Sequence, residues 1–216
     1  MRLDNLVHSR PDFYSLKLQI LSRTKRTLYK LLGVDGKIEA LRRSLDRRNN
    51  ELLARHLTGK SVLEVGCGRG DFLAFLQKDL NCQCVGVDVS EEMIRSAKER
   101  NPGPVYRVMD SASLDFPAGS FDFVVFNYVL HHVADLDRTV AEAKRVGRHI
   151  VFYECCAFDR NPLKTFSRFY WKITDGGYRY MSLDEWKRYF AIRCVEELHG
   201  NGLVRYGMCV LKTQEV

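Results

Sequence analysis

Apolar residues change their period along this chain, and the change falls near residue 60. Before it, Tyr14, Leu18, Leu21, Leu28 and Leu32 recur at helical spacing, interrupted at Lys25, and form one stripe. Gly33 and Gly36 then supply a stop and a turn. A sparser stripe follows through Ile38, Leu41, Leu45, Leu52 and Leu57, with Arg42, Arg43, Arg47 and Arg48 on the opposite face. Two amphipathic helices are expected here, and each needs a surface to cover its apolar stripe.

From Ser61 onward, short apolar runs alternate with helical segments. "SVLEV" is almost unbroken in its apolar character, as a strand buried on both faces of a parallel sheet requires. A helix is predicted from Asp71 to about Lys78, then a strand at "CQCVGV". Ser90, Glu91 and Glu92 open a second helix, with a capping hydroxyl and acids at its positive end. "VYRVMD" (Val105 to Asp110) and "FDFVVFN" (Phe121 to Asn127) read as the third and fourth strands. A helix around residues 135–146 leads to a fifth, "HIVFYE" (His149 to Glu154). This alternation predicts an α/β, Rossmann-like, doubly wound and mostly parallel sheet, with its ligand at the strand carboxyl ends.

After Glu154 the rhythm breaks into an aromatic-rich insertion at about 155–190, where Ser182 and Glu185 fit a capping box. "AIRCVEELHG" and "LVRYGMCVLK", joined at "GNG", then predict an antiparallel hairpin that completes a seven-stranded sheet. The chain divides into a helical extension, residues 1–58, and an α/β domain, residues 59–216.

Composition refines this picture in two places. An apolar fraction of 45% supports a full core and excludes global disorder. Charge is lopsided: residues 1–60 hold 14 Lys and Arg against 6 Asp and Glu, whereas the remainder holds 20 against 21. The basic excess therefore lies ahead of the sheet, as a solvated helical face or as a grip on an anionic partner. The seven cysteines have no zinc spacing and read as reduced core thiols, so no metal is expected. No apolar run reaches membrane-span length, and the N-terminus lacks a secretory apolar segment, so a cytoplasmic protein is expected.

The chemistry concentrates in "VLEVGCGRGDF", Val62 to Phe72. A P-loop would need Gly-Lys-Ser/Thr after a glycine and four intervening residues, a spacing that is missing, and a dinucleotide turn would space its glycines G-x-G-x-x-G. Here Gly66, Gly68 and Gly70 alternate, and Glu64 and Asp71 border the turn. Two carboxylates repel a diphosphate and attract a cation. S-adenosylmethionine, a nucleoside carrying a sulfonium and an ammonium but no phosphate, fits that pattern, although Asp71 is equally explained as a helix N-cap. Asp88 closes "CVGVD", where a carboxylate reaches both hydroxyls of a ribose. Asp110 in "VMDSAS" ends the third strand, as an acceptor for an adenine amine or as a turn residue.

The chain resembles the class I S-adenosylmethionine-dependent methyltransferases, in particular the small-molecule group called type 11. The resemblance is carried by "VLEVGCGRG", "VGVDVSEEMI", "VMDSASLDFPAGSFDFVV" and "NYVLHHVAD", and spans roughly Asn50 to Glu154. It implies that Glu64, Gly66 and Gly68 meet the methionine end, Asp88 the ribose, and Asp110 with Ser111 the adenine. Met93 would pack on the adenine ring, and Cys67, Val89 and Asn127 complete the cofactor-binding set. The product would be S-adenosyl-L-homocysteine. "AKRVGRHIVF" departs from the Leu-Lys-Pro-Gly-Gly turn that many relatives carry before the fifth strand.

"NYVLHHVAD" selects the acceptor. Asn127 is not followed by the Pro-Pro-Tyr/Phe of exocyclic-amine methylation, and no cysteine lies between Cys84 and Cys155 to serve pyrimidine C5 chemistry. Methyl transfer to a small acceptor remains, in which an in-line approach carries most of the rate. His131, His132 and Tyr128 are the catalytic candidates, with Tyr153 and Glu154 as further pocket residues. The aromatic insertion and the N-terminal helices would close over a partly apolar or aromatic acceptor. Two alternatives remain open: an RNA methyltransferase gripping its substrate with the basic segment, and a non-catalytic cofactor-binding subunit. The assembly would be a monomer or a homodimer.

Overall fold

The computed structural model describes residues 56–191, 196–198 and 205–212, together with Thr27. The two helices expected before residue 56, and the turn of the predicted C-terminal hairpin, lie outside the described residues. Seven strands form one sheet in the order β3-β2-β1-β4-β5-β7-β6. They are β1 (Ser61–Val65), β2 (Gln83–Asp88), β3 (Val105–Val108), β4 (Phe121–Asn127), β5 (Gly147–Cys156), β6 (Glu196–Leu198) and β7 (Arg205–Lys212). The first five are mutually parallel, as the alternating pattern predicts. β7 runs antiparallel to β5, and β6 antiparallel to β7. Chain order reverses between β1 and β4, where an open α/β sheet leaves a crevice at its carboxyl edge.

The helices are α1 (Asp71–Leu80), α2 (Glu91–Arg100), α3 (Leu136–Val146), α4 (Leu163–Thr174) and α5 (Leu183–Tyr189). Their ends follow the residues that can satisfy free backbone groups. Ser90 accepts from Met93 N to start α2, and Asp135 accepts from Arg138 N to start α3. Ser182 and Glu185 form the expected capping box on α5. At α1 the cap is Gly70 in the left-handed region, while the Asp71 side chain instead accepts from Asn101 Nδ2 at 2.9 Å. Asp71 is therefore no N-cap.

Strand side chains alternate between faces, so two cores form. On one face Leu63, Val65, Val124, Phe126, Ile150 and Phe152 meet Val140 and Ala143 of α3 and Trp186 of α5. On the other, Val62, Cys84, Phe123, Val125 and Val151 meet Leu73 and Leu76 of α1 and Ile94 and Ala97 of α2. Cys67, Cys82, Cys84, Cys155 and Cys156 are buried, and no disulfide joins them.

β3 and β5 differ from their expected limits, and β2 is shifted by one residue. β3 stops at Val108 because Asp110 Oδ1 accepts from Ala112 N at 2.8 Å and draws the chain into a turn. β5 runs longer because it is paired along both edges, from His149 to Cys156 on the β7 side. The aromatic insertion folds as α4 and α5 and adds a small core of Cys155, Trp171 and Tyr180. Among the described residues no helix is long and apolar enough to cross a membrane.

Candidate functional site

The carboxyl ends of β1, β2 and β4 carry Glu64, Asp88 and Asn127 at positions of the same parity as Val62, Cys84 and Phe123, so all three share one face of the sheet. The turn after β1 is pinned beneath them. Gly66 N and Cys67 N both donate to Val87 O, at 2.7 and 3.0 Å. Gly68 N donates to Asp88 Oδ2 and Ser90 N to Asp88 Oδ1, each at 2.9 Å. Asp88 thus ties the glycine turn to the start of α2, and each carboxylate oxygen keeps a lone pair for another donor.

The glycines are required for different reasons. Gly66 has φ +74°, and a Cβ there would lie 2.5 Å from Val129 Cγ2. Gly68 has φ +53° and faces open space: a Cβ would meet nothing within 4 Å. A side chain at Gly68 would thus meet no protein atom, while Gly66 lets the loop after β4 approach.

Electrostatically the site is poised for a cation. Glu64 is 2% exposed, and its Oε2 has no hydrogen-bond partner among the described residues. Burial pushes its carboxyl well above the usual range, reinforced by the charges of Asp88 and Asp71. Burial also raises Asp88, against the backbone N–H groups that lower it. Asn127 Oδ1 is likewise buried without a donor. Two buried acceptors with no donor among the described residues, both on the sheet face that ends at the glycine turn, fit a ligand that brings N–H or O–H donors and positive charge. S-adenosylmethionine carries an ammonium, ribose hydroxyls and a sulfonium, so the residues fit that cofactor.

The adenine-side candidates lie on the next strand end. Met109 N donates to Asp88 O at 3.0 Å, bringing β3's exit beside Asp88. Asp110 is exposed and turned onto its own loop, and the Ser111 hydroxyl is shared with Thr139 at 2.9 Å. Val89 is exposed and Met93 half-buried, as the rim of a pocket requires.

The segment after β4 holds the catalytic candidates, in an arrangement the sequence conceals. Glu154, fully buried, accepts from Val129 N at 2.8 Å and Leu130 N at 2.6 Å through Oε1. Its Oε2 receives His131 Nδ1. His131 Nε2 lies 2.7 Å from Asp175 Oδ2, which His132 Nε2 also approaches at 3.2 Å. Tyr180 OH donates to the same carboxylate at 3.1 Å. Burial lowers the His131 imidazole, but Glu154, with Cys155 and Asp175, raises it further, so it is held well above its ordinary value as an imidazolium. Asp175 is opposed by burial and held below its usual range by His131 and His132. Burial pushes His132 the other way, toward the neutral form.

Both ring nitrogens of His131 are engaged, which leaves none to accept a substrate proton. Glu154 and Asp175 were the partners to find. Glu154 was legible as a strand-end acid; Asp175, in "ITDGGYRY", reads only as a turn residue. Two donor sets, His131–Glu154–Cys155 and His131–His132–Asp175, bring their atoms within 4.8 Å of one another, and their charges are balanced by each other. Tyr128 takes φ +57°, rare for a residue with a side chain, and its ring stands edge-on to Tyr153 with centroids 4.5 Å apart. Its N–H donates to Tyr153 O at 2.8 Å, which holds this conformation against β5.

A family model described as a methyltransferase domain matches residues 63–150. The demethylmenaquinone methyltransferase of Symbiobacterium thermophilum is 32% identical over 130 residues, covering 53% of this chain and 50% of that protein. The phosphatidylethanolamine N-methyltransferase of Cereibacter sphaeroides is 35% identical over 114 residues, covering 49% of this chain and 55% of that one. The chain spans about half the length of these curated relatives. Among solved structures, a geranyl diphosphate C-methyltransferase from Streptomyces coelicolor A3(2), in complex with Mg2+, geranyl diphosphate and S-adenosyl-L-homocysteine, superposes with a TM-score of 0.69. It is 16% identical, covers 83% of each chain, and the likeness is one of fold.

Proposed function

We propose, on the premise that residues 63–150 belong to the class I S-adenosylmethionine-dependent methyltransferases of type 11, that this chain moves a methyl group from that cofactor to a small acceptor with a substantial apolar part. The observation that carries the reading is the pair of buried acceptors, Glu64 Oε2 and Asn127 Oδ1, that have no donor among the described residues, with open space at Gly68 of the same strand-end turn. When bound, the cofactor supplies an already activated methyl group.

The chain's own residues then hold and orient. Glu64 would hold the cofactor's ammonium, Asp88 its ribose hydroxyls, and Asp110, Ser111, Val89 and Met93 would border the adenine. Gly66, Cys67 and Gly68 give the close backbone approach. Because the donor is activated, alignment of acceptor and methyl carries most of the rate. Tyr128 and His132 face the acceptor side in this reading, and burial holds the His132 imidazole toward its neutral form there. His131 acts through its ion pairs: with Glu154 it fixes the backbone of Val129 and Leu130, and so positions Tyr128.

The names of the curated relatives support a lipid-like acceptor, since demethylmenaquinone and phosphatidylethanolamine both join a polar reacting group to a long apolar body. The test is incubation with methyl-labelled S-adenosylmethionine and separate panels of quinols, phospholipid headgroup amines and water-soluble amines. Label in the organic phase supports the reading. Label confined to water-soluble amines contradicts the acceptor class.

A further inference from the structure

Helix α4, "LKTFSRFYWKIT", is anchored by one side and leaves another bare. Ser167 and Trp171 turn inward, and Trp171 joins the core of Cys155 and Tyr180. Leu163, Phe166 and Phe169 are 53%, 59% and 64% exposed. Their three-residue spacing places them within a sector of roughly 120° on the helix surface. Large apolar side chains gathered in this way mark a contact surface.

Charge decides what the contact is. The helix contains Lys164, Arg168 and Lys172 and no acid, and the exposed Arg160 precedes it. One carboxylate, Glu185, receives both Lys164 and Arg168, at 2.9 and 2.7 Å, so the bases outnumber the acid that pairs with them. Asp175 at the C-terminal end is already engaged by His131 and His132. The chain's other strongly charged segment, residues 1–60, is also basic, with 14 Lys and Arg against 6 Asp and Glu. Like charge makes it a poor cover for α4, and a second copy would set α4's cationic flank against itself in a self-complementary contact. An anionic lipid surface suits both segments. A helix with Phe and Leu on one flank and Lys and Arg beside them lies in such an interface with its apolar side chains below the headgroups.

We infer that α4 docks on anionic membrane surfaces through Leu163, Phe166 and Phe169. The helix is fastened to the site it would serve: Tyr178 N, just beyond it, donates to His131 O at 2.7 Å, and Asp175 holds both histidines. Docking therefore places on the bilayer the helix whose C-terminal loop holds the histidine pair. The inference rests on the acceptor class proposed above, but the docking itself is read without turnover.

The experiment is flotation of the full chain with vesicles of phosphatidylcholine alone or mixed with phosphatidylglycerol, comparing wild type with Phe166→Asp/Phe169→Asp. Wild type is expected to float with the anionic vesicles and to be released by high salt. The double variant is expected to bind roughly tenfold more weakly or worse, with an unchanged circular dichroism spectrum and unchanged affinity for S-adenosylhomocysteine. Equal flotation of both proteins would overturn the inference by assigning binding to another segment. So would failure of wild type to float, or a dimer in sedimentation velocity that the double variant abolishes. Methyl transfer without membrane binding would leave the proposed function standing and the docking refuted.

Discussion

Glu64→Gln separates binding from folding by moving them in opposite directions. In the unliganded chain Glu64 is 2% exposed, near Asp88 and Asp71, with Oε2 unpartnered. An unsatisfied buried polar group costs about 1–3 kcal/mol, more when charged. Glutamine keeps the shape and an unpaired polar atom but removes the charge, so at a pH where the wild-type carboxyl is ionised the unliganded variant should be more stable, by about 1–3 kcal/mol. For a chain of this size that raises Tm by about 2–12 °C. The sign of the pH dependence follows from the raised carboxyl. A folded state that holds its proton more tightly than the unfolded one binds more protons above the ordinary value of 4.5, so the wild type loses stability as pH rises from there. The variant should lose that dependence. Cofactor binding should weaken, because a hydrogen bond to a charged group contributes about 1.5–3 kcal/mol, which is roughly 10- to 150-fold in Kd. Differential scanning calorimetry without ligand and isothermal titration with S-adenosylhomocysteine measure the two arms. A variant that is less stable than wild type and binds equally well would refute the assignment of Glu64 as a ligand group held ready at the expense of the fold.

Asp88→Ala should abolish measurable cofactor binding in the same titration, since it removes the acceptor for Gly68 N and Ser90 N as well as for the ribose; unaltered affinity would exclude that role. Gly68→Ala and Gly66→Ala should part company: each carries a left-handed strain of about 1–2 kcal/mol. Only Gly66→Ala adds a clash with Val129, so in thermal melts it should be the less stable, while Gly68→Ala should lose cofactor affinity for its stability. Asp175→Asn breaks a charge-assisted bond to His131 and should cost about 1.5–3 kcal/mol, or about 3–12 °C in Tm. Its pH signature is specific. His131's stabilisation is present below its unfolded value of 6.5 and lost as pH rises through the higher folded value. Asp175's is present above its unfolded 3.8 and lost only as pH falls through the lower folded value. The wild type should therefore hold this contribution across neutral pH, and denaturant titrations of the variant should show it missing there.

The fold was legible where local pattern and long-range packing agree. The apolar runs at β1 and β4 and the hydroxyl and acidic caps at Ser90 and Ser182 each express a rule that acts within a few residues. Limits set by distant pairing were not legible: β5 extends because β7 lies along it, and Asp71 serves Asn101 instead of capping α1. The clustering of Glu64, the glycines and Asp88 was legible for the same reason, since they lie within one βαβ unit. The acceptor side could not. His131 looks like a general base in sequence, but two carboxylates, 23 and 44 residues further along the chain, occupy its nitrogens and fix its charge. Nothing in "ITDGGYRY" announces that its aspartate returns to a histidine pair.

The central claim is that this cradle takes a cationic nucleoside. Isothermal titration of the wild-type chain with S-adenosylmethionine and, separately, with NAD tests it most directly. The account predicts saturable binding of S-adenosylmethionine at one site per chain, with no heat from NAD; binding of NAD in preference to S-adenosylmethionine would contradict it.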